Sequence, residues 1–210
     1  FVTGALQHSP IWLLVIALLL AVAVAGAWVG LNAAAALYTF LGAFTYGVVY
    51  TLWLKRRSWL NIVVGGLAGS FSVLAGAAAV NPDIGALPLL LALVLFLWTP
   101  PHFWSLAIAN QADYAAAGVP MLPVVVGAER AAQIVFHSTV ALALASLLPA
   151  FFGAGPIYLL GAAIGGGHFV HKAWQLKRAP GRKTAMGAFF ASLVQLSLVL
   201  AAATADGLLR

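Results

Sequence analysis

Seven runs of about 20 consecutive apolar residues dominate this chain, at 11–29, 33–54, 62–80, 87–108, 131–153, 156–174 and 184–205. A helix of that length crosses the hydrocarbon core of a bilayer, and seven of them in 210 residues leave almost no chain for a soluble domain. Composition agrees: 64% of residues are apolar and 7% charged, against about 45–50% and about 25% in soluble proteins. Outer-membrane strands would alternate apolar and polar residues over segments of about ten, and the run 89–97 does not alternate. The expected fold class is all-α, a polytopic transmembrane helix bundle with seven predicted spans, and 1–210 is read as one domain.

Charge position fixes a direction. With residues 1–10 on the cytoplasmic side, the inner connections carry Lys55, Arg56, Arg57, Arg130, Lys172, Lys177, Arg178, Arg182 and Lys183, leaving Arg210 outside. Lys and Arg near span ends mark the cytoplasmic face, so the expectation is a multi-pass protein of the inner cell membrane with its active site facing the cytoplasm. The net charge of +6 is too thinly spread for a nucleic-acid-binding face. No cysteine is present, which excludes thiolate metal sites and cysteine nucleophiles. Phosphate-loop, zinc-protease and Gly-x-Ser-x-Gly signatures are lacking, and mid-span charges of the kind ion pumps use are nearly absent. Gly26/Gly30, Gly65/Gly69 and Gly161/Gly165 recur at the spacing that lets helices approach closely in lipid, and Gly165-Gly166-Gly167 is expected to loosen its helix.

Polar chemistry concentrates in two blocks and a connector. The first is Tyr50-Thr51-Leu52-Trp53-Leu54-Lys55-Arg56-Arg57, continuing to Asn61. Three adjacent cations at a span end read either as a topology determinant or as phosphate ligands. Asn61 shares a face with Arg57 if helix runs through both. The second block is Trp98-Thr99-Pro100-Pro101-His102-Phe103-Trp104, leading to Asp113 and Tyr114. Two prolines inside a span predict a kink or break. His102 beside it reads as a proton acceptor or haem contact, or equally as a histidine bonded to a freed carbonyl. Asp113 reads as a carboxylate for Mg²⁺ shared with substrate phosphates, or as a solvated loop acid. The segment 116–127 reads as an interfacial helix and turn over a cytoplasmic cavity, or as an ordinary connector. His168, His171 and Lys172 share a face without any nearby carboxylate, which argues against a metal site and for an interface anchor.

Taken together, the Tyr50 to Asn61 block, the Trp98 to Trp104 block, Asp113-Tyr114 and Gly118-Val119-Pro120-Met121-Leu122-Pro123-Val124-Val125 resemble the protoheme IX farnesyltransferases (haem O synthases) of the UbiA-type intramembrane prenyltransferases. The opening Val2-Thr3-Gly4 with Ser9-Pro10 resembles the family stretch after its first acidic loop. The resemblance implies a nine-helix bundle in a lipid bilayer, holding Mg²⁺ and farnesyl diphosphate beside haem b. Its implied reaction moves the farnesyl group to a haem vinyl carbon. Carried over by position, Lys55, Arg56 and Arg57 bind diphosphate, Asn61 supports that pocket, Asp113 stands near Mg²⁺, Tyr114 orients Asp113 or the diphosphate, and Tyr50 lines the cavity.

The chain departs from the family pattern in three places. The acidic motif Asn-Asp-x-x-Asp-x-x-x-Asp is absent, and with the non-Met start this gives the expectation that two helices and that loop lie upstream of Phe1. Asn110, Gln111 and Ala112 stand where the family often carries a cation and a second acid, and Ser72-Val73 stands where it has Pro-Pro. Two rival readings are a prenyltransferase for a quinone or aromatic acceptor and a non-catalytic haem-handling membrane protein.

Overall fold

The computed structural model describes residues 9–209, so Val2-Thr3-Gly4 and the outer cation Arg210 lie outside the described residues. Every regular element among the described residues is helical. The order is α1 (Ile11–Gly30), α2 (Ala33–Phe44) continued by a π-helical stretch (Thr45–Leu54), α3 (Asn61–Gly65), α4 (Leu67–Val80) and α5 (Ala86–Ala109). Two short helices follow, α6 (Gln111–Ala116) and α7 (Leu122–Val126). The chain then forms α8 (Ala128–Ala145) with a 3-10 turn (Leu148–Phe152), α9 (Pro156–Arg178) and α10 (Arg182–Leu208).

Among the described residues, six helical stretches are long and apolar enough to cross a membrane: Ile11–Gly30, Ala33–Leu54, Asn61–Val80, Ala86–Ala109, Ala128–Phe152 and Arg182–Leu208. The remaining expected span, 156–174, is less apolar than these six. That segment is helical within the 23-residue α9, but His168, His171 and Lys172 make it more polar than its neighbours. Packing against α8 and α10 holds it in place.

Successive long elements run antiparallel, and polar side chains fasten them where they turn. Asn32 caps α2 by accepting from the Ala35 N–H at 2.9 Å and donates to the Ala78 carbonyl at the end of α4, 2.6 Å away. At the same end, the buried Asp206 of α10 accepts from the Gly155 N–H at 2.6 Å, where the positive end of α9 favours a carboxylate. Tyr158 donates to the Ser146 carbonyl at 2.9 Å. This alternation gathers the turn after Leu54, the α6–α7 connector and the start of α10 at the opposite end, with nearly all the cations.

The glycine pairs divide by what they meet. A Cβ on Gly161 would stand 2.5 Å from the Ala202 side chain, and one on Gly165 would stand 3.0 Å from the Gln195 backbone, so these two let α9 and α10 touch. Gly65 and Gly69 face Tyr50 and Leu95 at 2.8 and 3.3 Å. Gly26 and Gly30 meet nothing within 4 Å among the described residues. The triple glycine does not loosen α9: Gly165 and Gly166 are buried against Gln195 and Ala143, and that contact offsets their weak helix propensity. Nor do Pro100 and Pro101 break α5, which continues to Ala109. Ser105 donates to the Pro101 carbonyl at 2.6 Å and Thr99 to the Leu95 carbonyl at 3.0 Å.

Gly161→Leu is expected to part α9 from α10 and destabilise the bundle by about 1–3 kcal/mol. Gly26→Ala should leave the melting temperature in detergent where it is. Equal melting curves for both variants would contradict the close α9–α10 contact.

Candidate functional site

The π-helical end of α2 starts the site. Its i→i+5 bonding, seen where the Lys55 N–H donates to the Tyr50 carbonyl at 2.8 Å, widens the helix and sets the Tyr46 and Tyr50 rings 5.8 Å apart. The Tyr50 ring lies against Gly65, where any Cβ would come within 2.8 Å of it. Lys55 then folds back until its ammonium is 6.0 Å from the centre of that ring, within reach of its negative face.

Residues 55–60 form turns, so no helix carries Arg57 and Asn61 on one face as the spacing suggested. Asn61 instead opens α3, fully buried, and donates from Nδ2 to the Lys55 carbonyl at 3.1 Å. Its Oδ1 is buried without a hydrogen-bond partner. The cationic turn is thereby pinned from beneath, while Lys55, Arg56 and Arg57 stay exposed.

Helix α5 presents two faces. Thr99 and Phe103 join Tyr46, Tyr50, Ile62 and Gly65 around a cavity of about 170 Å³. Trp98 and His102 turn the other way, into α10. The His102 ring is stacked between Trp98 and Phe189 at 4.0 and 4.6 Å, and Nδ1 lies 2.6 Å from the Ser192 hydroxyl. Ser192 spends its single hydrogen on the Phe189 carbonyl, so Nδ1 is the protonated nitrogen and donates to Ser192. The partner of His102 is therefore a side chain of α10 rather than a freed carbonyl of α5, and His102 is set apart from the Tyr50 cavity.

The connector completes the site. Gln111 donates to the Pro123 carbonyl at 2.7 Å, stapling α6 to α7, and Gly118 makes the turn between them with φ +64°. Met121, Leu122 and Pro123 are buried, so the segment 116–127 is a turn and short helix seated on the core. Tyr114, half-buried on α6, packs with Tyr50 against the same buried core cluster. Burial pushes the Tyr114 hydroxyl above its ordinary pKa. Its neighbour Asp113 is exposed.

Tyr50, Lys55, Asn61 and Tyr114 thus converge at one end of the bundle, with Arg56, Arg57 and Asp113 on the adjoining surfaces. The arrangement suits an anion on the cationic turn with its apolar part in the cavity. Among the described residues no group of three or more His, Asp or Glu comes together. Asp113 is an exposed carboxylate at this end, of the hard oxygen type that Mg²⁺ takes. Tyr46, Thr99 and Phe103 were missed in the sequence. For the last two the signal was the i, i+4 spacing that separates them from the Trp98 and His102 face.

Residues 1–194 match the UbiA prenyltransferase family. The chain is 58% identical to Protoheme IX farnesyltransferase 2 of Paramagnetospirillum magneticum, an alignment covering 100% of this chain and 73% of that protein. It is 53% identical to Protoheme IX farnesyltransferase 1 of the same organism, over 83% of this chain and 62% of the relative. With Protoheme IX farnesyltransferase of Chloroflexus aurantiacus the identity is 45%, over 87% and 31%. The chain therefore spans less than two thirds of the second and third relatives. A solved structure described as digeranylgeranylglyceryl phosphate synthase in membranes shares the fold, with TM-score 0.77 at 20% identity over 90% of this chain and 67% of that one.

Removing the Asn61 amide leaves the Lys55 carbonyl without its side-chain partner, a loss of about 1–3 kcal/mol. Asn61→Ala is expected to speed tryptic cleavage after Lys55, Arg56 or Arg57 in membrane vesicles by roughly tenfold, since cleavage follows the population of the opened turn. An unchanged cleavage rate would show that the turn does not depend on this bond.

Proposed function

The chain belongs to the UbiA prenyltransferase family, and we propose that it is the catalytic bundle of a haem farnesyltransferase, joining farnesyl diphosphate to haem b to give haem O. The observation that carries the reading is Lys55 poised over Tyr50 at the Tyr46–Phe103 cavity.

In this reading the diphosphate lies on the turn of Lys55, Arg56 and Arg57, which meet its oxygens as point charge and planar forks. Tyr114 donates a hydrogen bond to the same anion. Asn61 holds the turn from below. Asp113 would hold one side of a Mg²⁺, which neutralises diphosphate charge when bound. The remaining carboxylates are assigned to the family's Asn-Asp-x-x-Asp-x-x-x-Asp loop, and the proposal puts that loop and two further helices upstream of Phe1. Reading the open frame before Phe1 tests this part.

The chemistry follows from charge separation. The allylic C–O bond breaks with its electron pair leaving on diphosphate, and the vinyl π electrons of haem form the new C–C bond. Water then captures the cation left on the second vinyl carbon, with loss of a proton. Cations at the departing oxygens stabilise this step, and the rings of Tyr46 and Tyr50 present negative faces to allylic positive charge. An apolar cavity keeps water from the allylic cation before the acceptor reaches it. The proposed setting is the inner membrane, with this end of the bundle facing the cytoplasm.

Lys55→Ala and Asp113→Ala are each expected to lower haem O formation by about 10²-fold or more. The readout is the mass of haem extracted from membranes given haem b and farnesyl diphosphate. Undiminished haem O from both variants would overturn the assignment, and a prenylated aromatic ring in place of haem O would move the acceptor to the quinone class.

A further inference from the structure

The outer side of α9 carries a polar ladder that the site around Tyr50 leaves unused. Exposed positions recur along it at helical spacing: Leu160, Ile164, Gly167, His171, Trp174 and Arg178. The first two are apolar, and Gly167 is a notch with nothing within 4 Å among the described residues. The others are linked by contacts. Lys172 donates to Gln175 Oε1 at 3.3 Å. That orientation of the amide turns its Nε2 towards His171, whose Nε2 accepts at 2.9 Å. The His171 ring lies 6.2 Å from the Trp174 ring, and the Arg178 guanidinium lies 4.7 Å from the centre of that same indole. Lys172 thus reaches up to Gln175 while Arg178 reaches back to Trp174, which brings both charges to one level of the helix.

No carboxylate answers these cations. Between Pro156 and Ala205 stand Lys172, Lys177, Arg178, Arg182 and Lys183, with no Asp or Glu among them. Among the described residues none of these cations has an ion pair, and Lys177 rests instead on the Phe136 ring at 4.6 Å. Contact with a ring face leaves the N–H donors of Arg178 without an acceptor. Arg182 and Lys183 open α10, whose positive N-terminal end has no acidic residue in its first turn, so an anion nearby would offset a repulsion already present. The depth of the ladder suits an amphiphile. From Trp174 to Ile164 the helix falls about 15 Å at 1.5 Å per residue, half of a hydrocarbon core about 30 Å thick. One leaflet's acyl chain therefore spans the apolar part of the face whose polar end carries Arg178.

We propose that this face of α9 binds an anionic glycerophospholipid of the surrounding bilayer. Arg178 and Lys172 hold its phosphodiester beside the Trp174 ring, and one acyl chain lies along Gly167, Ile164 and Leu160. The inference uses none of the residues assigned to the diphosphate donor and stands whether or not the prenyl-transfer reading does. Any cationic span end attracts anionic lipid through charge alone. A built site depends in addition on the fork of one arginine and the ring under it, and that dependence separates the two by experiment.

The test uses the protein expressed from its full reading frame, purified in detergent and titrated with dioleoylphosphatidylglycerol or dioleoylphosphatidylcholine under native mass spectrometry. Phosphatidylglycerol is expected to bind roughly tenfold more tightly than phosphatidylcholine. Arg178→Gln should weaken phosphatidylglycerol binding by roughly tenfold, and Trp174→Leu, which keeps every charge, by about threefold. Arg130→Gln removes the same charge from α8 at the same end of the bundle and should stay within about twofold. Equal losses from Arg178→Gln and Arg130→Gln, or no loss from Trp174→Leu, would reduce the effect to general attraction and overturn the site. Displacement of the lipid by inorganic phosphate would overturn the lipid as occupant in favour of a soluble phosphate. A second measurement places the unaltered protein in phosphatidylcholine vesicles containing phosphatidylglycerol with a diazirine in one acyl chain. Label on α9 peptides between 160 and 174 supports the site, and label confined to other helices overturns it.

Discussion

A backbone carbonyl in hydrocarbon cannot turn to water, and that constraint decides where this chain can hold polar groups. Hydroxyls inside the spans are bonded back to their own helices, as Thr99 is to Leu95, Ser105 to Pro101, Thr139 to Val135 and Thr204 to Leu200. The same rule makes two prolines tolerable in α5, because helix, hydroxyls and neighbours surround the disturbed turn. With the interior closed to unpaired charge, the cations and Asp113 are driven to one end, where the chemistry gathers.

How much of this was legible in the sequence depends on whether a feature is local. Span positions follow from apolar runs, and the helices fall where those runs are. The motif residues Tyr50, Lys55 and Asn61 also come together, since the short turn between α2 and α3 leaves them little freedom. What sequence could not supply was non-local. Whether Gly161 or Gly26 lies against a neighbour depends on helix rotation, and the two have the same local spacing. His102 and Phe103 are adjacent in one motif, yet the helix sends them to different partners. The extra residue per turn in the π-helical stretch has no signature in apolar periodicity, and it is what brings Tyr46 level with Tyr50.

His102 is conspicuous in the sequence, and in the structure it joins α5 to α10. Its ring is clamped between two aromatics and its Nδ1 is committed to Ser192, while the Trp98 indole donates to the Ser192 carbonyl at 2.8 Å. These bonds tie α5 to α10 through two successive groups of one residue. A histidine in that setting fixes the rotation of α5, and that rotation is what points Thr99 and Phe103 at the cavity.

The bundle is packed unevenly along the length of its chain. Around α8, α9 and α10, side chains such as Phe169, Leu176, Leu142 and Val135 are fully buried and glycines bring backbones into contact. Around α1 and α2 the packing is open: α1 buries no residue at all, and the α2–α4 groove stands between helices. A core as dense as that of α9 could not admit an isoprenoid chain without parting helices, at a cost comparable to overpacking. On the α2–α4 side the walls are already separated. The tight side supplies the fixed frame from which α5 aims its two residues. The glycines of α9 and the small residues of α4 thus set a tight wall and an open one in the same bundle.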